Sequence, residues 1–590
     1  MNRRTVAALA LTVTAAMALT ACGGTKPAPG SGSRAPADAF DPVKVGDGDT
    51  TKGGNVNVLM STDFQTLDPG NSNYVQTANV GQLYYRTLTM AKEEAGKPPK
   101  VVPDLATDLG KVSKDGLTWT YTLKKGLKFE DGRPITAQDV KYGVERTYAR
   151  DVYTQAPQEL NAALSDDGYK GPYAKGAAGD FKGIETPDDR TVVFKLKQPF
   201  AEFPALVSRS NTAPVPRAKD TKLDYTNHPV STGPYKIESY ERGRAMKLVR
   251  NKHWDPATDP NRSALPHTFT FSLSTAQSTI SQQLLADSDP TAITLDSAGG
   301  LQASDAAKLD QPSIARRTAS GIIGCTDVLD FNTETIKDPV VRKALALAID
   351  RKAIQLQYGG ARFGKLTQSY INPQQRGYVP QHTDLDPTGQ PKLDEAKKLL
   401  KGRSYPKKLV YGYADATPRF KNMGTSLQEN LRQLGIDLEL RPIPAANYFT
   451  TLAGKGMPDL ARSGWCGGAD SASVRTTIDP NLGPSVDGKT FGFSNIPRYH
   501  DPEISKAMYA LRGENGTSEE LGRKWSKLFD RAMQDYPLVP LVRNVTRSVV
   551  GSDVRGAQVG YFFGGIDLST VAVASGSGSG SGSGSVARKG

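Results

Sequence analysis

The chain has 590 residues, with 74 Lys and Arg against 61 Asp and Glu, a net charge of +13, 5 His and 3 Cys. This length implies several structural units or one multi-lobed protein, and 37% hydrophobic with 23% charged residues suffices to fold most of it. Three cysteines exclude a disulfide-dense scaffold and a four-cysteine zinc site, and five scattered histidines leave little material for a histidine metal centre.

The first element is a targeting segment. Asn2-Arg3-Arg4 is a short basic start, and Val6 to Leu19 is apolar apart from Thr12 and Thr14. The run is shorter than the ~20 residues a spanning helix needs, so residues 1–21 read as a secretory signal peptide. Leu19-Thr20-Ala21-Cys22 resembles the bacterial lipobox, which implies that Cys22 becomes the acylated first residue of the mature chain. Residues 23–52, rich in Gly, Ser, Pro, Ala and Asp, read as a flexible tether behind that cysteine. Anchor and tether place the body on the outer face of the cytoplasmic membrane. The basic excess contains no run of five Lys or Arg, so it reads as a solvated surface near an anionic membrane and not as a nucleic-acid site.

Strand and helix signals then alternate through the body. Asn55 to Met60 and Thr118 to Leu123 are period-two or β-rich strands. Thr136-Ala-Gln-Asp139 starts a helix through Val140, Val144 and Tyr148. Thr191–Leu196 and Thr268–Leu273 are further strands. Asp338-Pro339 opens a helix whose apolar face is Val341, Ala344, Leu345 and Ala348. A helix over 419–434 stops at Gly435, and strand Ile436–Arg441 comes next. Pro537 to Val542 reads as an edge strand because of its prolines. Residues 574–590, with alternating Ser and Gly, read as a disordered tail.

Enzyme signatures are absent. There is no G-x-S-x-G and no H-E-x-x-H, and the five histidines sit in mostly loop-like settings. Gly483 to Thr490 fits the phosphate-loop pattern G-x-x-x-x-G-K-T. That loop needs a buried strand before it and a helix after it. Thr477–Leu482 is no buried strand, and Gly492 and Pro497 fall where the helix would have to run, so the pattern reads as a surface turn.

Several longer blocks carry a family resemblance. Val102 to Leu109 is followed by Lys114 to Val140, then by Ser231-Thr-Gly-Pro-Tyr235, Leu248-Val-Arg-Asn251 with Trp254, Leu329-Asp-Phe-Asn332, and Asp338 to Arg351. In this order they resemble the extracytoplasmic solute-binding proteins of peptide ABC importers, the oligopeptide- and dipeptide-binding family (solute-binding protein family 5). The resemblance implies an α/β, two-lobed periplasmic-binding-protein-like (type II) clamp with discontinuous lobes and an extra inserted domain. Carried over, lobe one comprises 53–88, 230–324 and 545–573, the inserted domain 89–229, and lobe two 325–544.

The same resemblance implies roles for particular residues. Ala461-Arg-Ser-Gly-Trp-Cys466 matches a pocket wall whose Cys466 bonds Cys325, with Arg462 and Trp465 facing ligand. An arginine fork suits a peptide carboxylate, and an aspartate suits its ammonium. The family's ammonium-binding aspartate position is Gly468 here, and the nearest carboxylate is Asp470. Either the loop shifts and Asp470 serves, or a free N-terminus is not held in that way. Asn73 and Tyr74, after Leu67-Asp-Pro69, are contacts expected from lobe one, and Tyr153 from the inserted domain.

The expectation is a monomeric, lipid-anchored receptor without cofactor, metal or catalysis. It binds oligopeptides between its lobes and delivers them to an ABC permease with its ATPase subunits. The alternatives are another solute on the same scaffold (oligosaccharide, metal chelate or other small molecule), a peptide-signal receptor, and, from a different class, a secreted hydrolase.

Overall fold

The expected caps and periodicities take shape in the computed structural model, which describes residues 42–46, 52–72, 74–95, 99–154, 156–166, 168–174, 181–415, 418–444, 447–466, 473–485 and 494–574. The signal peptide, Cys22, most of the tether, Asn73, Asp470, residues 486–490 and the tail from 575 lie outside the described residues. Helix Ala137–Arg146 begins as its sequence predicts. The Asp139 carboxylate accepts from the Thr136 N–H at 2.8 Å and from its hydroxyl at 2.7 Å. Helix Pro339–Ala348 is capped by Asp338, which accepts from the Val340 N–H at 2.8 Å, and it buries Val341, Ala344, Leu345 and Ala348. Helix Pro418–Arg432 is followed by Gly435 at φ +72°, a conformation that favours glycine, and then by strand Asp437–Ile443.

Three sheets dominate the mixed α/β body. In the first, the order is Ala292–Thr294, Asn55–Leu59, Thr268–Ser272, Ala245–Arg250, Tyr235–Glu241, with Asn55–Leu59 parallel to both of its neighbours. The second orders Lys111–Val112, Thr118–Thr122, Thr191–Lys195 and Ile184–Asp188, with Trp119 and Tyr121 turned into its core. The third orders Gly364–Leu366, Leu538–Val549, Thr318–Phe331, Leu460–Cys466, Lys408–Ala414 and Asp437–Ile443. One expectation changes here. The proline-bearing strand is not at the edge, because Gly364–Leu366 pairs with it at residues 542–544. Pro540 is accommodated because that ladder starts two residues beyond it. Helix Arg475–Leu482 occupies the place where a phosphate loop would need a strand.

Each sheet has its own apolar core. The first core draws mainly on residues 45–85, 235–295 and 550–573. The second sheet's core runs from Leu88 to Val207, and the third sheet's two cores lie within 328–542. Two long antiparallel strands, Thr318–Phe331 and Leu538–Val549, run from the first core into the third. Their ladder is interrupted between Ile322 and Thr326. Among the described residues no helix is long and apolar enough to cross a membrane.

Candidate functional site

A cavity of about 350 Å³ opens where these cores meet. Helix Val75–Tyr84 and the residue before it, Tyr74, supply one side. Residues 157–159 and 208–210 supply another, and the end of strand Leu460–Cys466 a third. Phe562 and Phe563 complete the wall. Tyr74, Tyr85, Trp465 and the two phenylalanines make the lining strongly aromatic, which suits an organic ligand held by face and edge contacts.

Each wall is pinned. Trp465 lies opposite Thr326, and Cys466 lies opposite Cys325, to which it is bonded across a Cα–Cα distance of 3.9 Å. The Phe562 loop hangs on Glu93, whose carboxylate accepts from the Phe562 N–H at 2.5 Å. Burial, then the neighbouring Asp567, push the Glu93 carboxyl up to about 8 against the pull of the loop's N–H groups. Beneath the helix, Arg262 donates from Nη2 to Asp104 Oδ2 at 2.8 Å and from Nη1 to Asp259 at 3.0 Å. Arg86 donates from Nε to Asp104 Oδ1 at 2.7 Å. Burial alone would raise the Asp104 carboxyl, but the Arg262 and Arg86 charges and hydrogen bonds outweigh it and hold it down at about 2.

The cavity's charged lining is thus Arg262, already committed to that network, and a pair, Arg209 and Glu159, whose Nη1 and Oε2 stand 3.2 Å apart. Among the described residues, the Ser72 hydroxyl and the Trp465 indole N–H on the lining are buried without a hydrogen-bond partner within the protein.

Of the residues expected at the site, the structure brings Tyr74 and Trp465 together on the lining, with Cys466 beside them. Tyr153 is fully buried away from it; its hydroxyl accepts from Arg146 Nη2 at 2.7 Å and lies 2.9 Å from the Tyr173 hydroxyl. Arg462 is outside the lining too, with Nη2 at 2.5 Å from Asp327 Oδ1 and its guanidinium 4.8 Å from the Phe420 ring centroid. Asn73 and Asp470 lie outside the described residues. Sequence reasoning missed Tyr85, Glu159, Arg209, Phe562 and Phe563. The one local signal was Tyr561-Phe562-Phe563, three aromatics between Gly560 and Gly564.

Separate chain segments closing around an aromatic cavity on a mixed α/β body suit a receptor that encloses a small solute. Residues 100–482 match the family model described as bacterial extracellular solute-binding proteins, family 5, middle region, and the chain belongs to that family. It is 26% identical over 555 residues to the glutathione-binding protein of Salmonella choleraesuis, covering 87% of this chain and 94% of that protein. It is 27% identical over 421 residues to the probable D,D-dipeptide-binding periplasmic protein of Escherichia coli, covering 69% and 73%. Among solved structures, clavulanic acid biosynthesis oligopeptide binding protein 2 superposes with a TM-score of 0.82 at 28% identity, covering 91% of this chain and 98% of that one. These relatives are binding proteins, and the chain is a peptide or small-solute receptor working with an ABC transporter, not an enzyme.

Proposed function

We propose that this receptor is a lipid-anchored monomer that takes short peptides into the aromatic cavity and delivers them to its permease. Residues 53–88, 230–324 and 545–573 form lobe one in this reading, 325–544 lobe two, and 89–229 the inserted domain. The cavity itself carries the proposal. Its volume of about 350 Å³ lies low in the roughly 300–1,000 Å³ range of small-molecule sites, which suits a peptide of a few residues better than a long one. The names of the two relatives, specifying glutathione and a D,D-dipeptide, point the same way. Thr318–Phe331 and Leu538–Val549, which contain two of the proposed boundaries, are the natural flexing elements between lobes, because their ladder lapses at Ile322 to Thr326. Cys22 would carry the acyl chains, and the residues after it the reach from the membrane.

Mass spectrometry of the protein purified from membranes, first native and then denatured, tests both parts. The native spectrum is expected to show retained short-peptide masses, and the denatured spectrum a mature chain starting at Cys22 with an added diacylglyceryl mass. Saccharide or metal-chelate masses would overturn the ligand class, and an unmodified Cys22 the anchor.

A further inference from the structure

The chain leaves the second sheet's core near Val207, crosses the first core over residues 235–295 and enters the third along Thr318–Phe331, so no segment joins the second core to the third directly. Side chains do join them. Phe200 packs against the second core, and its neighbour Ala201 packs against a core of the third sheet. Glu202 comes next, at the start of the short helix Phe203–Leu206. Its Oε1 accepts from the Ser473 hydroxyl at 3.0 Å and from the Ser518 hydroxyl at 3.4 Å. Its Oε2 stands 3.7 Å from Arg475 Nη1, and both side chains are only 3% exposed. All three of these partners belong to the third sheet's side. Arg475 opens helix Arg475–Leu482 and Ser518 opens helix Ser518–Met533, and the two helices give Ile478, Leu482, Trp525 and Phe529 to that core.

The charged pair has few other partners. Asp479, 3.9 Å from Arg475 Nε, is engaged by Arg512 Nη2 at 2.8 Å. The Arg512 carbonyl, which accepts from Arg475 Nη2 at 3.4 Å, carries no charge. The Arg475 guanidinium lies 4.4 Å from the Phe200 ring centroid and 5.9 Å from that of Trp525, one ring from each side of the junction. Among the described residues, neither Glu202 Oε2 nor Arg475 Nη1 has a hydrogen-bond partner, so each charge is compensated chiefly by the other. A buried charge that loses its partner is strongly unfavourable, whereas both charges return to water when the two sides move apart. The junction adjoins the cavity without entering it. Ser208, Arg209 and Ser210, on the same segment as Glu202, line the cavity, and so do Trp465 and Cys466 from the third sheet, but Glu202, Ser473, Arg475 and Ser518 do not.

We propose that Glu202 and Arg475 are positioning residues for binding: a latch between the inserted domain and lobe two that holds the lobes on a captured solute without touching it. This rests on the short-peptide receptor reading and its division into lobes. Opening separates the pair into water. Closing buries it with the Ser473 and Ser518 hydroxyls in place, so the latch sets how long a solute is kept. Because it acts on the closed population, it changes the affinity for every solute by the same factor.

Stopped-flow measurement of association and release tests this, with Ala-Phe-Ala, Ala-Lys-Ala and the solute recovered from the native protein as probes. The proteins compared are wild type, Glu202→Gln, Arg475→Gln, the double variant and Ser473→Ala, each with its melting temperature recorded. Glu202→Gln keeps the side-chain shape but leaves Arg475 buried without its anion. Release is expected to quicken about tenfold, by the same factor for both peptides and with little change in association. The double variant buries no lone charge and is expected to recover about threefold or more of that loss. Ser473→Ala removes one hydroxyl hydrogen bond and leaves the ion pair, so release should quicken about threefold; it decides the matter if Glu202→Gln does not fold. Unchanged release in the folded variants, even with a lowered melting temperature, overturns the proposal. So does an effect confined to one peptide, or a double variant whose loss is the product of the single losses. If neither peptide binds but the recovered solute does, the short-peptide reading fails and that solute's release decides the latch; a protein that binds none of the three refutes both.

Discussion

Asp104→Ala will destabilise the protein by about 3–5 kcal/mol, the usual cost of removing one partner from a buried ion pair. Asp104 is fully buried and stands between two arginines that are themselves only 2% and 3% exposed. Its removal leaves Arg86 and Arg262 with a single carboxylate, Asp259, to share. The damage reaches the cavity, because Arg262 Nε also donates to the Gln82 carbonyl at 2.7 Å and both residues line the space. Urea unfolding of the two proteins at neutral pH measures the cost. The sign of the pH dependence comes from the carboxyl being held down at about 2 in the folded protein. Its stabilising share is fully present above the unfolded carboxylate value of about 3.9 and is lost as pH falls through about 2. The gap between wild type and variant should therefore narrow between about pH 4 and pH 2; a constant gap would mean that Asp104 is not the anion holding the two arginines.

Replacing both Cys325 and Cys466 with Ser will cost about 2–5 kcal/mol. The bridge closes a loop of 141 residues in sequence separation, and the chain-entropy treatment gives about 5 kcal/mol for a loop this long as an upper figure. Its local role is also specific. At Cys325 the strand Thr318–Phe331 has lost its ladder to Leu538–Val549, and it is held there by the pairing with Leu460–Cys466, the disulfide and the Gly324 N–H donating to the Tyr561 carbonyl at 2.8 Å. Cys466 is exposed, so reductant can reach the bridge in the folded state. Unfolding in urea with and without reductant, with thiols counted, reads the loss. Ligand affinity should fall in parallel, because Trp465 adjoins the bridge; unchanged stability and affinity after full reduction would refute both roles.

Local chemistry made much of the scaffold legible. Asp338-Pro339 opens a helix, Gly435 closes another and Thr136 with Asp139 starts a third, because a cap is a contact between residues a few places apart. The long strand Thr318–Phe331 was not read from the sequence, where Leu329–Asn332 stood only as a block of the family resemblance. Its Ser320-Gly321 and Gly324-Cys325 stretches carry little apolar alternation, and pairing on both sides makes them a strand. The edge reading of Pro537–Val542 failed because a three-residue neighbour can stop short of Pro540.

The site was less legible, since its walls come from segments hundreds of residues apart. Tyr74 and Trp465 were found from their family positions. Arg209 and Glu159 belong to no motif, and only folding brings them within 3.2 Å. Tyr153 and Arg462 have suitable chemistry for a ligand, yet both are engaged by the protein: Tyr153 with Arg146, and Arg462 with Asp327. A sequence reports what a side chain could bind but not which partner reaches it first.

The central claim, a short-peptide receptor built around this aromatic cavity, is tested most directly by titrating the peptide recovered from the native protein back onto ligand-free wild type and the Trp465→Ala variant. Removing a central aromatic anchor typically costs about 2 kcal/mol or more, so the Kd should rise about thirtyfold in the variant while its fold is retained. An affinity unchanged by the loss of Trp465 would place the ligand elsewhere and contradict the account.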